Sequence, residues 1–213
     1  MSLVVSISQS HSIELVNSLN HYRLEGQKTA AFEICDVLGG APDWLCLPVG
    51  NAGNITSYWM GFRQYHSLKN TGLPRILGVQ ALGAAPLVLG HPVEKPETIA
   101  TAIRIGRPAR GEQALQAAEE SNGRIIAVSD AQILDMQKAL ARTEGIWVEP
   151  ASAAGLAGLA SEIAAGRFDS AGKRVVAICT GHGMKDPDTI TRSMPKPVVI
   201  RPKLEALEEA LLG

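Results

Sequence analysis

Asp43-Trp44-Leu45-Cys46-Leu47-Pro48-Val49-Gly50-Asn51-Ala52-Gly53-Asn54 decides the reading of this chain, because an apolar run of strand length passes directly into a glycine-asparagine turn. Leu45 to Val49 shows no polar alternation, which fits a strand buried on both faces of a parallel sheet. Pro48 has no N–H and restricts pairing there to one side. Gly50 and Gly53 are expected to supply positive φ and close backbone approach, and Asn51 and Asn54 to tolerate the left-handed region. Asn54 then caps a helix that turns Ile55, Tyr58, Trp59 and Phe62 inward. Such a turn presents free N–H groups and the positive end of a helix dipole, so it suits a phosphate, although the same pattern also joins ordinary βα units. It has neither the Gly-x-Gly-x-x-Gly spacing of dinucleotide loops nor a Walker Gly-Lys-Ser/Thr, so a different phosphate ligand is expected.

Outward from that turn, helices and strands alternate. Toward the N-terminus lie a serine-rich segment over 1–16 with no firm structure and a polar turn over 17–23. A helix follows from Leu24 or Glu25, with an inward stripe of Thr29, Phe32, Glu33 and Cys35 to Val37 and a stop at Gly39 and Gly40. Toward the C-terminus, strands are expected at 75–81, 124–128, 145–149 and 173–179 and helices at 94–103, 112–122, 131–144, 151–165 and 203–212. Ser129 or Asp130 caps the 131–144 helix, and Gly155 and Gly158 are spaced for close packing. The alternation predicts an α/β fold, a mainly parallel layered sheet flanked by helices. Residues 17–187 carry the sites, between the 1–16 segment and a 188–213 tail ending in a helix. Sites in such sheets lie at the C-terminal ends of strands, where Gly50, Glu149 and Thr180 fall.

With 213 residues and 46% hydrophobic composition, the chain can bury a substantial core. A formal net charge of -1, with acids and bases mixed, argues against a nucleic-acid groove or a basic membrane patch. Small molecules or another subunit are the expected partners. The three cysteines lack Cys-x-x-Cys spacing, which argues against structural zinc and for a reducing, cytoplasmic setting. No apolar run is long enough to cross a bilayer, so a soluble chain is expected.

Thr180-Gly181-His182-Gly183 follows a strand as the central turn does, so both can face one crevice. The Thr180 hydroxyl can bond a heterocyclic nitrogen without adding charge, or it only ends a strand. Asn17, Ser18 and Arg23 set a guanidinium beside neutral donors, which suits a dianionic phosphate, or they form a surface turn before a helix. Glu149 either places a carboxylate near the crevice mouth or, with Ser152, serves only to cap the following helix. Lys28 and Lys185 are candidate amines among polar neighbours.

Together these segments resemble the threonine synthase family. The resemblance rests on Asn17-Ser18-Leu19-Asn20, Tyr22-Arg23-Leu24-Glu25-Gly26-Gln27-Lys28-Thr29, Leu47 to Asn54, Glu149-Pro150-Ala151-Ser152-Ala153-Ala154, and Thr180-Gly181-His182-Gly183 before Lys185-Asp186-Pro187. His21 departs from it, since the family more often has proline there. The resemblance implies a fold-type II, tryptophan synthase β-like enzyme using pyridoxal 5′-phosphate. It implies that Gly50, Asn51, Ala52, Gly53 and Asn54 hold the cofactor phosphate and that Thr180 bonds the pyridine nitrogen. Asn17, Ser18, Arg23 and Asn51 resemble the residues around the phosphate of O-phosphohomoserine. The implied activity is a lyase reaction of threonine biosynthesis, by a homodimer in the full-length enzyme. The family's Schiff-base lysine lies in a Ser-Phe-Lys-Asp motif ahead of the matched region. That motif does not occur here, so no catalytic residue is assigned and the chain is expected to be a truncated portion, inactive alone. Another fold-type II enzyme such as threonine dehydratase, or a non-catalytic remnant, are the alternatives.

Overall fold

The computed structural model describes residues 2–18, 20–188, 191 and 196–212. Leu19, within the first matched segment, lies outside them. Four parallel strands, β1 (Trp44–Pro48), β2 (Arg75–Ala81), β3 (Arg124–Val128) and β4 (Val175–Ala177), form one sheet in the order β3-β2-β1-β4. The helices are α1 (Ser2–Ser10), α2 (His21–Gln27), α3 (Thr29–Leu38), α4 (Gly53–Lys69), α5 (Pro86–Leu89), α6 (Gly111–Glu120), α7 (Asp130–Glu144), α8 (Pro150–Ala164) and α9 (Leu204–Leu212). Among the described residues no helix is long and apolar enough to cross a membrane.

Strand periodicity sends alternate β1 side chains to opposite faces. Leu45 and Leu47 pack with Ile55, Phe62, Cys35 and Ala114 from α4, α3 and α6. Trp44 and Cys46 pack with Ile133, Ala154, Ala157 and Leu140 from α7 and α8. Both faces are thus covered, which is why β1 reads as an unbroken apolar run. Pro48 sits at the strand end, and β4 pairs only with Trp44 to Cys46 while β2 continues alongside Pro48. Gly158 brings α8 onto the sheet, since a Cβ there would overlap Val79.

Several sequence expectations change in three dimensions. The 94–103 segment is not a helix, apart from a 3₁₀ turn at Thr101–Ile103. Its N–H groups go elsewhere: Glu97 donates to Gly83 O at 3.0 Å, and Ile99 to Asp130 Oδ2 at 3.0 Å. The 145–149 segment is no strand, because Val148 makes only an isolated bridge to His182. The 1–16 segment contains helix α1, and the helix expected from residue 24 is two, α2 and α3. In α3 the inward residues are Ala31 and Cys35, while Val37 is 84% exposed. Ser129, not Asp130, caps α7, with a complete capping box to Gln132.

Candidate functional site

The chain runs β1, β2, β3 in one direction across the sheet and then returns to place β4 on the other side of β1. The loops after β1 and β4 therefore diverge, and crevices form at such switch points. A crevice of about 320 Å³ opens there, lined by Ser18, Arg23, Gln27, Pro48, Gly50, Asn51, Ala52, Gly53, Asn54, Ala102, Ile103, Glu149, Ala151, Thr180 and Lys185. The two turns singled out in the sequence do face one space.

The left-handed residue of the central turn is Ala52, with φ 65°, whereas neither Gly50 nor Gly53 has positive φ. Their lack of a side chain matters for approach. A Cβ on Gly50 would stand 3.0 Å from Ile103 Cα and 3.1 Å from Ala102 O, and one on Gly53 would stand 3.0 Å from Ser18 Oγ. Ala52, not Asn54, is the N-cap of α4. Asn54 is half-buried and its side chain accepts from Gln27 Nε2, tying α4 to α2. Asn51 Oδ1 accepts from Ala109 N–H at 3.2 Å, which leaves its Nδ2 as the donor it can offer. The Thr56 and Ser57 hydroxyls donate to the carbonyls of Ala52 and Gly53 at 2.7 and 2.8 Å, fixing the first turn. The first N–H groups of any helix lack intrahelical acceptors, and α4 has no acidic residue in its first turn to oppose an anion.

On the opposite wall, Thr180 is exposed to the crevice and held by Ser152, which is 1% exposed. Ser152 Oγ accepts from the N–H groups of Thr180 at 3.0 Å and Gly181 at 2.7 Å, and lies 2.7 Å from Thr180 Oγ1. Glu149 lines the crevice but is itself buried, and Lys185 Nζ donates to its Oε1 at 3.3 Å. A side chain on Gly181 would overlap that carboxylate. His182 Nδ1 accepts from Met184 N–H at 3.2 Å and caps a 3₁₀ turn, so it has a local role.

Ser18 and Arg23 line the crevice, with Asn20 capping α2 between them through Arg23 N–H at 3.2 Å. Asn17 stands behind this edge; its carbonyl accepts from Asn20 N–H at 3.0 Å and it is not a lining residue. Lys28 is also outside the lining and pairs with Glu25, whose carboxyl it holds below the usual range through their hydrogen bond. Gln27 and Arg110, whose Nε donates to Ser18 O at 2.9 Å, carry no role from sequence, and Ser152 carries only that of a helix cap. Gln27 and Ser152 lay inside matched segments and so carried a signal; Arg110 lay in a loop that carried none. No cluster of metal-ligating groups occurs among the described residues.

This donor set fits pyridoxal phosphate. A helix start kept open by Gly50 and Gly53 suits the phosphate, and an uncharged hydroxyl across the crevice suits a ring nitrogen. The match to known proteins agrees. Residues 2–181 match the family model described as pyridoxal-phosphate dependent enzyme. A threonine synthase of Halalkalibacterium halodurans is 56% identical over 189 residues, covering 89% of this chain and 53% of the relative. One of Synechocystis sp. is 52% identical over 216 residues, covering 99% and 55% respectively. The chain spans about half the length of the curated relatives it matches. In fold it resembles the serine racemase of Dictyostelium discoideum, with a TM-score of 0.64 and 24% identity over 85% of this chain and 57% of that one. The arrangement is the fold-type II one, and the chain belongs to the pyridoxal-phosphate dependent enzyme family.

Proposed function

We propose that this chain forms the phosphate-binding part of a threonine synthase, which converts O-phospho-L-homoserine and water to L-threonine and phosphate. The observation that carries the reading is the crevice itself, where the open start of α4, the Ser18 and Arg23 edge and the Thr180 hydroxyl converge. The N–H groups of the 50–54 turn hold the cofactor phosphate, and Thr180 donates to the ring nitrogen. When bound, the cofactor supplies an electron sink for chemistry at the substrate α-carbon, so that phosphate leaves the γ-carbon and water adds at the β-carbon. Ser18, Arg23 and the Asn51 amide hold the substrate phosphate, and Asn17 supports that edge from behind. Arg110 steadies Ser18 through its carbonyl. Ile103 and Ala151 give the crevice wall its apolar surface.

The lysine that anchors the cofactor belongs to a segment outside these residues, in keeping with the missing Ser-Phe-Lys-Asp motif. Lys28 is engaged by Glu25 and Lys185 by Glu149, and neither is given that role. The complete enzyme works in the cytoplasm as a homodimer. In an enzyme completed by that segment, Arg23→Ala is expected to raise KM for phosphohomoserine at least tenfold while leaving cofactor affinity within about twofold, since one charged hydrogen bond is worth roughly 1.5–3 kcal/mol. Equal loss of both would overturn the assignment.

A further inference from the structure

Ser152 has a role that its position on α8 does not by itself suggest. A serine hydroxyl has one proton and two lone pairs. Both lone pairs are taken, by the N–H groups of Thr180 at 3.0 Å and Gly181 at 2.7 Å. Its proton has two acceptors within reach, Thr180 Oγ1 at 2.7 Å and Gly181 O at 3.2 Å. The first distance is the usual one for O–H···O and the second is beyond the usual range. Thr180 cannot donate to Ser152 without three donors crowding two lone pairs. We propose that Ser152 is a positioning residue that fixes the direction of the Thr180 hydroxyl, accepting from Ser152 and donating into the crevice.

A hydroxyl so constrained recognises an acceptor. It offers its proton to an unprotonated ring nitrogen and gains nothing from a ring presenting C–H at that point. Ser152 is well placed for this task. It is buried, its main chain is fixed in α8 through Ser152 N–H to Glu149 O at 3.0 Å, and Glu149 N–H returns to Gly181 O at 2.9 Å. These hydrogen bonds tie the loop after β4 to the start of α8.

This inference rests on the reading that Thr180 meets the ring nitrogen, and the test separates the two. The probes are pyridoxine 5′-phosphate, which has no aldehyde to react with lysines, and its deaza counterpart with C–H in place of the ring nitrogen. Calorimetric titration of the chain gives their affinity ratio. The native chain should prefer the nitrogen compound by roughly three- to tenfold, the span of one neutral hydrogen bond. Thr180→Val should bring the ratio to one, and Ser152→Ala should bring it within about twofold of one while phosphate affinity persists. If Thr180→Val leaves the ratio unchanged, the Thr180 reading fails and this proposal with it. If Thr180→Val removes the preference but a folded Ser152→Ala retains it, the Ser152 proposal alone is refuted. Should Ser152→Ala not fold, Ser152→Cys, whose thiol is a weak donor, takes its place: an affinity ratio reduced toward one supports the proposal, and a native ratio refutes it.

Discussion

Replacing Gly53 by valine separates a binding loop from a mere connection. Gly53 has no positive φ, so the backbone accepts a side chain. In the first turn of α4, valine is slightly favoured over glycine, by a few tenths of a kcal/mol. The obstacle is local. The new Cβ would stand 3.0 Å from Ser18 Oγ and 3.1 Å from Ser18 Cβ, so Ser18 must retreat by a few tenths of an ångström and the valine methyls enter the crevice. The fold should lose about 1 kcal/mol or less, shifting Tm by no more than about 4 °C for a chain of this size. The phosphate loses more. Displacing it from two charge-assisted N–H donors costs about 3–6 kcal/mol, or roughly 10²- to 10⁴-fold in affinity. Thermal melts followed by calorimetric titration with pyridoxal 5′-phosphate read both quantities. Gly53→Ala should fall between valine and glycine. Native affinity in Gly53→Val would refute the cradle, and a loss of affinity matched by a loss of fold would show only that the turn is structural.

The chain alone should form no threonine from phosphohomoserine and pyridoxal phosphate, because a positioned general base commonly contributes 10²- to 10⁴-fold and the anchoring amine would be lost with it. Borohydride reduction and mass spectrometry check this, and a stoichiometric cofactor adduct on Lys28 or Lys185 together with threonine would overturn it. Gly61→Ala should cost about 2 kcal/mol in a urea melt, since its Cβ would overlap Lys28 O and stand 2.8 Å from Ala31 Cβ where α3 crosses α4. A neutral result would mean that the helices separate freely. Glu162 is buried between Arg167 and Arg124, and chiefly the Arg167 hydrogen bond holds its carboxyl below its ordinary value of 4.5. Its contribution is therefore complete above that pH and lost as pH falls toward the lower folded value, so Glu162→Gln should flatten the acid limb of stability measured by urea melts.

The sequence by itself determined the fold class, a mainly parallel sheet flanked by helices, and most of its strands. Arg75–Ala81 and Arg124–Val128 form strands with the expected bounds, because their largely apolar runs are bracketed by Pro74 and Gly83 and by Gly123 and the capping Ser129. It also singled out two turns beyond β-segments, Gly50 to Asn54 and Thr180, which the structure brings to one crevice. What tertiary structure decided were the places where a backbone group or side chain chose a partner distant in sequence. Asp130 takes Thr98 and Ile99, dissolving a helix that local propensity favoured. Val148 meets His182 in a single bridge, so an extended segment never becomes a strand. Gly50 and Gly53 are needed for what stands against them, Ile103 and Ser18, while the left-handed angle falls on Ala52. Ser152 is a helix residue in sequence and a partner of Thr180 only because α8 and the loop after β4 are brought side by side. Local pattern reports hydrophobicity and turn chemistry, but the pairing of a hydroxyl 28 residues away is set by packing.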